Sequence, residues 1–563
     1  MGMLDGHAGE QTVAALAGFG VETMFTLNGG HIWPFYEAAR NQSMRVVDTR
    51  HEQTATFAAE AMAKLTRRPG LAALTAGPGI TNGVSAITSA HFNGSPLVVL
   101  GGRAPSGRWG AGSLQELDHV PIVASVTKSA LTVTDPAAAG TMVHDAATLA
   151  MTPRRGPVFL DFPLDVFGPS AGEVPDVAAG ERGPDPDLDA VGELAAALAS
   201  AERPAFIVGS DVYWARSEAA LVALVEQFDI PCLFNGMGRG TIAADHRLAF
   251  LRTRGVVKER ADLVVVLGTP LDFRLGFGRW GDARAVHVVE DPSSRAAHVD
   301  VLTVTGRLAD TLAMLADGVG PKDPAGRTAW VAELRTAESA AAERDEQLLD
   351  ADADPIRPSR IYGELRRRLA RDAVVICDGG DFASYAGKFV EVYEPGCWLD
   401  TGPYGCLGNG LGYAIAARVA RPVLAGRCAA RRRRRRLQPH GCRHARTSRV
   451  AGRHGGRQQR DLGAGEAPDA GHLRLGRRLR PAAADPLRRG RALARRGRGD
   501  GERTGRARCG ARPCLRCRLP VPRQRAHRSR RHLPAHVQPR LSARRRSRFS
   551  GRGSRRRPPA TPR

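Results

Sequence analysis

The chain changes character near residue 421, and no single kind of fold accommodates both parts. Residues 421–563 carry 45 Arg and six acidic residues, a net charge of +39, while residues 1–420 sum to −14. A stretch so dominated by one sign, with Phe549 as its one Phe, Tyr or Trp, buries too little apolar surface to offset the entropy of ordering and reads as disordered. Such a stretch attracts polyanions without specificity and loses them steeply with salt. It lacks the aromatic platform of a stacking nucleic-acid module. The formal charge of +25 over 563 residues therefore describes neither part, and no specific nucleic-acid partner is expected.

Lys, Ile, Asn, Tyr, Trp and Met occur 44 times in residues 1–420 and never afterwards. Their codons are mostly poor in G and C, so a remainder built from Arg, Ala, Gly, Pro, Leu and His is what a GC-rich gene yields when translated out of frame. Reading the same bases one position later, RRRRRRLQPHGCRH from Arg431 permits GDGAAGFSLMDVDT, and RQQRDLGAGEAPD from Arg457 permits GNNGIWGLEKHPM. An apolar strand, ELPVVMVVG, is permitted across Arg449 to Arg457. A natural Arg-rich tail explains the charge but not this second message. Cys509, Cys514 and Cys517 have a C-x4-C-x2-C spacing of the iron–sulfur kind, but no fourth Cys follows.

Residues 1–420 read as three α/β units. Helical patterns at 10–19, Trp33–Arg40, Glu52–Thr66 and Ile80–His91 alternate with strand patterns at Glu22–Leu27, Met44–Asp48, Leu71–Ala76 and Leu97–Leu100. Such alternation implies parallel sheets covered on both faces. The expected organisation is an N-terminal domain over 1–168, a Pro/Gly/Asp-rich linker over 169–189 and a central α/β domain over 190–318. A helical connector over 319–358 and a partial third domain over 359–425 follow, then the Arg-rich segment over 426–563. Four scattered cysteines in 1–420 (Cys232, Cys377, Cys397, Cys406) make no disulfide framework. The chain starts without an apolar export segment and has no run approaching 18 apolar residues, so a cytoplasmic protein with no membrane partner is expected.

The motifs come in a telling order: RHEQ (Arg50 to Gln53), GPGITN (Gly77 to Asn82), LQE (Leu114 to Glu116), LDFP (Leu160 to Pro163), DGGD (Asp378 to Asp381) and GCLG (Gly405 to Gly408). Over about 420 residues this set resembles the thiamine-diphosphate enzymes, and within them acetolactate synthase and its relatives. The family's fold of three doubly wound parallel-sheet domains is implied, with the third truncated here. The family's magnesium-diphosphate motif is GDG followed by NN roughly 25 residues later. The displaced reading supplies GDG over Arg431 to Arg433 and NN over Gln458 and Gln459. As written, Arg432 and Gln459 stand where an Asp and an Asn would bind Mg²⁺, and a guanidinium cannot ligate a cation. No metal ligand is expected in the chain as written, and order is expected to end at about residue 425.

By that resemblance Glu52, at the start of a helix after a strand, tautomerises the cofactor's aminopyrimidine so that the coenzyme can attack a 2-keto acid. Taken alone, Glu52 is a helix-dipole carboxylate in a first turn. The spacing of Gly77, Gly79 and Gly83 misses the dinucleotide fingerprint by one residue. The resemblance assigns Gly29, Gly30, Pro78, Asn82, Gly405, Leu407 and Gly408 to cofactor binding, with Leu407 bending the cofactor. It assigns Gln115, Lys128 and Arg274 to the substrate, Arg274 as a bidentate holder of the second keto acid's carboxylate. Leu114 stands where acetolactate synthases usually carry Phe, Leu164 replaces the Lys of a PKD motif, and Pro270 replaces an Arg. The implied cofactors are thiamine diphosphate and Mg²⁺, with FAD or an ADP-containing ligand a further option for the central domain. The implied partners are a small 2-keto acid and, because the site would lie between subunits, further copies of the chain in a homodimer or homotetramer. The rival readings are a thiamine-dependent 2-hydroxyacyl-CoA lyase or oxalyl-CoA-type decarboxylase, a non-catalytic polyanion-binding protein, and a folded but catalytically dead subunit.

Overall fold

The computed structural model describes residues 2–177, 183–319, 324–422 and 427–429. The displaced GDG and NN positions, the cysteine triplet and the expected disorder of the Arg-rich segment lie outside the described residues. The strands, in chain order, are β1 (Gly2–His7), β2 (Thr23–Thr26), β3 (Arg45–Asp48), β4 (Gly70–Leu74), β5 (Leu97–Arg103), β6 (Ser129–Thr132), β7 (Pro157–Pro163) and β8 (Pro169–Val174) in the first unit. The second unit has β9 (Pro204–Val208), β10 (Cys232–Phe234), β11 (Ala249–Phe250), β12 (Leu263–Leu267), β13 (Arg284–Val289) and β14 (Leu302–Thr305). The third has β15 (Val375–Cys377), β16 (Trp398–Leu399) and β17 (Arg427–Ala429).

Three parallel sheets result, in the orders β3-β2-β4-β5-β7-β6, β11-β10-β9-β12-β13-β14 and β16-β15-β17. Their inner strands are continuous apolar runs, as burial on both faces requires: LVVVL of β12 is buried at every position. The helices of the first sheet include α1 (Ala8–Gly18), α2 (Trp33–Asn41), α3 (Glu52–Thr66) and α4 (Pro78–Asn93). The α/β expectation holds throughout. Two local expectations do not. Residues Pro169–Val174 of the expected linker form β8, antiparallel to β1, so that two otherwise unpaired segments satisfy each other's backbone. Residues 427–429, past the expected end of order, pair with Val375–Cys377.

The helix α3 is buried along most of its length, and side chains of all three units reach it. Its Glu60–Lys64 pair, at 2.9 Å, is almost wholly withdrawn from solvent. Asn93 and Ser95 donate to Glu60 from the first unit. Lys64 reaches the Tyr413 hydroxyl of the third unit at 2.9 Å, and Tyr213 of the second donates to the Lys64 carbonyl at 2.6 Å. A buried charge pair is costly unless its lone pairs and protons are met, as those of Glu60 Oε1 and the Lys64 ammonium are here. Helix Asn409–Ala420 lies directly on α3. A Cβ at Gly412 would stand 2.7 Å from Phe57 Cβ, 2.8 Å from the Thr54 carbonyl oxygen and 3.0 Å from the Ala58 nitrogen. Gly412→Val should therefore force the two helices apart at a cost of about 1–3 kcal/mol, seen as a lower denaturation midpoint in urea. An unchanged midpoint would contradict this packing.

Candidate active site

In the first sheet the chain leaves β2 toward β3 and then returns to the other side of β2 with β4. This is a switch point, and open parallel sheets bind ligands beyond the carboxyl ends of the strands there. Gly29 and Gly30 follow β2, Glu52 follows β3, and Gly77 and Pro78 follow β4. Thr75 fills the space beside Gly29, where a Cβ would stand 2.3 Å from Thr75 Cβ, and a Cβ at Gly79 would stand 2.8 Å from Thr75 Cγ2. Nothing lies within 4 Å of a Cβ built at Gly30, which borders open space.

His51 caps α3 by accepting the Gln53 amide, which sets Glu52 in the first turn. Pro78 sits at the first position of α4, where its missing N–H costs nothing. Asn82, one turn further on, donates from Nδ2 to Glu52 Oε2 at 3.0 Å. Glu52 is buried, while Pro78 and Asn82 are exposed around it. A carboxylate is thus fixed at the floor of an open crevice by one amide. Gln115 adopts a left-handed conformation, φ 59°, over Gly77, φ 60°. Gly77 must lack a side chain there, because a Cβ would meet Gln115 Cβ at 3.0 Å and its carbonyl at 3.1 Å.

Sequence reasoning passed over the groups that hold this turn. The Gly77 amide donates to His119 Nε2 at 2.8 Å, and His119 Nδ1 lies 3.1 Å from Asp161. Both side chains are fully buried, and Arg103 reaches Asp161 at 2.7 Å. With Nε2 accepting, the proton belongs on Nδ1, which donates to the carboxylate. Asp161 lies inside the LDFP motif, and His119 stands three residues after LQE. A lone loop histidine carries no signal until the fold brings Gly77 to it.

Two of the substrate candidates lie elsewhere in the chain. Lys128 precedes β6 and lies level with Pro157, at the amino ends of the strands, so it occupies the edge of the sheet opposite Glu52. It donates to Thr152 Oγ1 at 2.6 Å. Burial, reinforced by Arg155 and Arg154 and opposed by Asp291, pushes its ammonium down to about 8. Arg274 lies in the loop after β12. Its Nε and Nη2 both engage Asp272, so the bidentate edge expected to hold a substrate carboxylate is taken.

In the third unit Asp378 Oδ1 accepts the Gly408 amide at 2.8 Å, and a Cβ at Gly379 would stand 2.5 Å from Leu407 Cδ2, so DGGD and GCLG are neighbours. Leu407 and Gly405 are exposed. Tyr404 stacks on Phe92 at 5.2 Å, and Asn93 fills the space beside Gly402. These contacts fall at the far end of α4, eleven residues from Asn82, or about 16 Å along the helix. Gly402 and Tyr404 of one chain therefore meet the end of α4 away from its Glu52–Asn82 pair.

The crevice fits the aminopyrimidine end of thiamine diphosphate: a buried carboxylate, an amide beside it and glycine-lined space. Among the described residues no group of three or more His, Cys, Asp or Glu side chains could hold a metal ion, and the expected metal positions lie outside those residues.

Residues 6–122 match the family described as thiamine pyrophosphate enzyme, N-terminal TPP binding domain, and residues 191–315 match its central domain. The chain is 48% identical over 422 residues to an acetolactate synthase large subunit of Mycobacterium tuberculosis, an alignment covering 74% of this chain and 76% of that protein. A probable acetolactate synthase of Mycobacterium bovis matches to the same extent. A 2-hydroxyacyl-CoA lyase 2 of Caenorhabditis elegans is 32% identical over 464 residues, covering 74% of this chain and 72% of that protein.

Two outcomes are expected. His119→Gln keeps an acceptor near the Nε2 position, and His119→Asn keeps only a donor near Nδ1. Hydrogen exchange at the Gly77 amide should stay slow in the first and quicken at least about tenfold in the second; equal rates in both would contradict the assignment. Lys128 should react with an acylating reagent with a midpoint near pH 8, as a free amine above it and a protected ammonium below. A midpoint near 10, that of an ordinary lysine at about 10.4, would contradict its burial.

Proposed function

Because the chain belongs to the thiamine-diphosphate-dependent enzymes, we propose that it is a carboligase of the acetolactate-synthase kind, decarboxylating pyruvate or a related 2-keto acid and joining the remaining acyl unit to a second keto acid. The observation that carries this reading is the Glu52–Asn82 pair at the switch-point crevice. Bound thiamine diphosphate supplies the electron sink for the decarboxylation and the carbon–carbon bond formation. Glu52 Oε2 is held by Asn82, which leaves Oε1 to exchange a proton with the pyrimidine. The His119–Asp161 pair fixes the Gly77 turn from behind, so the distance between Asn82 and Glu52 is set before any ligand arrives. Gln115, seated on Gly77, faces the substrate side. Leu407, exposed in its own chain, packs against the cofactor from a second copy.

That last step makes the site composite. The contact of Gly402 and Tyr404 with the far end of α4 supports an assembly in which one copy gives the Glu52 crevice and another gives the Asp378–Gly408 segment. Arg274 then acts from another wall of the channel, through the guanidinium edge that Asp272 leaves, while Lys128, at the opposite edge of the sheet, takes no part in the Glu52 crevice. FAD or an ADP-containing ligand would lie in the central switch-point crevice, where Gly209 passes Gly268 so closely that a Cβ would stand 2.4 Å from its carbonyl oxygen. The Mg²⁺ anchor belongs to the displaced reading, so the chain as written should show no magnesium-dependent thiamine diphosphate binding in calorimetry. Binding would contradict the frame account. In a chain whose reading frame is restored after residue 425, pyruvate should give acetolactate, and Glu52→Gln should slow that reaction at least about 100-fold. Turnover of oxalyl-CoA alone would instead favour the acyl-CoA lyase and decarboxylase relatives.

A further inference from the structure

Lys128 has no part in the crevice chemistry, and its surroundings are unusual for a lysine. Its stem lies on the Gly156 backbone, where a Cβ would stand 3.2 Å from Lys128 Cγ and 3.3 Å from Cδ. Its amide donates to the Pro157 carbonyl at 2.7 Å. The head is thereby carried to the turn between helix Ala139–Met151 and β7, where Nζ donates to Thr152 Oγ1 at 2.6 Å and to the Thr152 carbonyl at 3.3 Å. The Thr152 hydroxyl donates to the Leu149 carbonyl at 2.7 Å, so toward the lysine it accepts.

Both partners of the head are uncharged. Among the described residues no carboxylate comes within ion-pair reach of Lys128, and none pairs with Arg154, which stands exposed two residues after Thr152. Arg155 bonds Glu290 of the second unit at 3.0 Å, with both side chains largely buried. Asp291, also of the second unit, acts on the ammonium from farther off and accepts the Ser293 amide. Burial leads in disfavouring the ammonium, Asp291 opposes it, and Arg155 and Arg154 add to it, with the group pushed down to about 8. Roughly a tenth of such a group is free amine at pH 7, against under about one in a thousand for an ordinary lysine. A half-buried amine beside two guanidinium groups is a poor place for a cation and a good one for an anion.

A free amine adds CO2. The nitrogen lone pair attacks the carbon, one C=O pair moves onto oxygen, and a proton leaves the nitrogen for solvent, so amine and CO2 give a carbamate anion and one proton. The carbamate nitrogen keeps an N–H for Thr152, and its two oxygens match the fork of a guanidinium.

We propose that Lys128 is a reversible carbamylation site that takes CO2 on Nζ, with Thr152 holding the nitrogen and Arg154 and Arg155 holding the new carboxylate. The charge at this point then changes sign beside the Arg155–Glu290 pair that joins the first two units, and the carbamate competes with Glu290 for Arg155. The site stands apart from the Glu52 crevice and does not rest on the proposed reaction, although a decarboxylation releases the CO2 it takes.

The test equilibrates the full chain with 13C-labelled CO2, traps carbamate by O-ethylation with a triethyloxonium salt, and maps the label by peptide mass spectrometry. The peptide holding Lys128 should carry the labelled ethoxycarbonyl group at least about tenfold more often than that holding Lys258, an exposed lysine. At fixed free CO2 the yield should rise with pH, because loss of the ammonium proton and release of the second proton both favour addition. Arg154→Gln, an exposed change, should lower the yield severalfold, since Arg154 both disfavours the ammonium and holds the carbamate; Lys128→Arg should leave this peptide unlabelled. Label absent from Lys128, spread equally over Lys128 and Lys258, or undiminished in Arg154→Gln overturns the site.

Discussion

A buried ion pair inside one helix governs how this protein is put together. Glu60 and Lys64 sit one turn apart on α3, out of water: Asn93 and Ser95 bond Glu60 Oε1, Tyr413 of the third unit bonds the Lys64 ammonium, and Tyr213 of the second bonds the Lys64 backbone carbonyl. The same helix begins with Glu52. Gly412 lets the third unit's helix lie against α3 with no side chain between them. The carboxylate proposed to move the proton is therefore mounted on a helix buried along most of its length. Placement of that kind favours catalysis, which tolerates little error in the position of a proton-transferring group.

Much of this was legible in the residues, and the pattern of success is physical. Helix α3 is bounded by its sequence: a His–Glu start, fifteen residues of helix formers and an Arg-Arg-Pro stop, and the structure gives Glu52–Thr66 as expected. Strand β12 is legible for the same reason, since LVVVL between charged and glycine residues has one reading. Local periodicity reports local structure. What depends on closure was not legible. Nothing in PSAGEV announces a strand, because it becomes one only when β1 arrives beside it. Lys128 looks like a site residue in a motif, yet its place before an edge strand puts it at the far side of the sheet. His119 matters through a backbone amide 42 residues away.

The candidate site was legible in part. The motif order gave Glu52, Pro78, Asn82 and Gln115 as a group, and the structure joins Asn82 to Glu52 and seats Gln115 on Gly77, next to Pro78. The same motif order placed Gly405 to Gly408 with them, but in a single chain the residues just before that segment, Gly402 and Tyr404, meet the other end of α4. A composite site reconciles the two, since a second copy can bring its own Leu407 to the crevice. The composition break near residue 421 bears on the same point, because the proposed reading puts the diphosphate anchor that would complete the second half of the site in another register.

Two inactive variants of a frame-restored chain, Glu52→Gln and Leu407→Asp, test this account most directly when unfolded together, reassembled at equal amounts and given pyruvate. If each site takes Glu52 from one copy and Leu407 from another, half of randomly paired dimers carry one intact site, and acetolactate formation should return to about a quarter of the parent's rate. If both residues serve the same site from one chain, no pairing restores an intact site and the mixture should stay as inactive as its components, which would contradict the account.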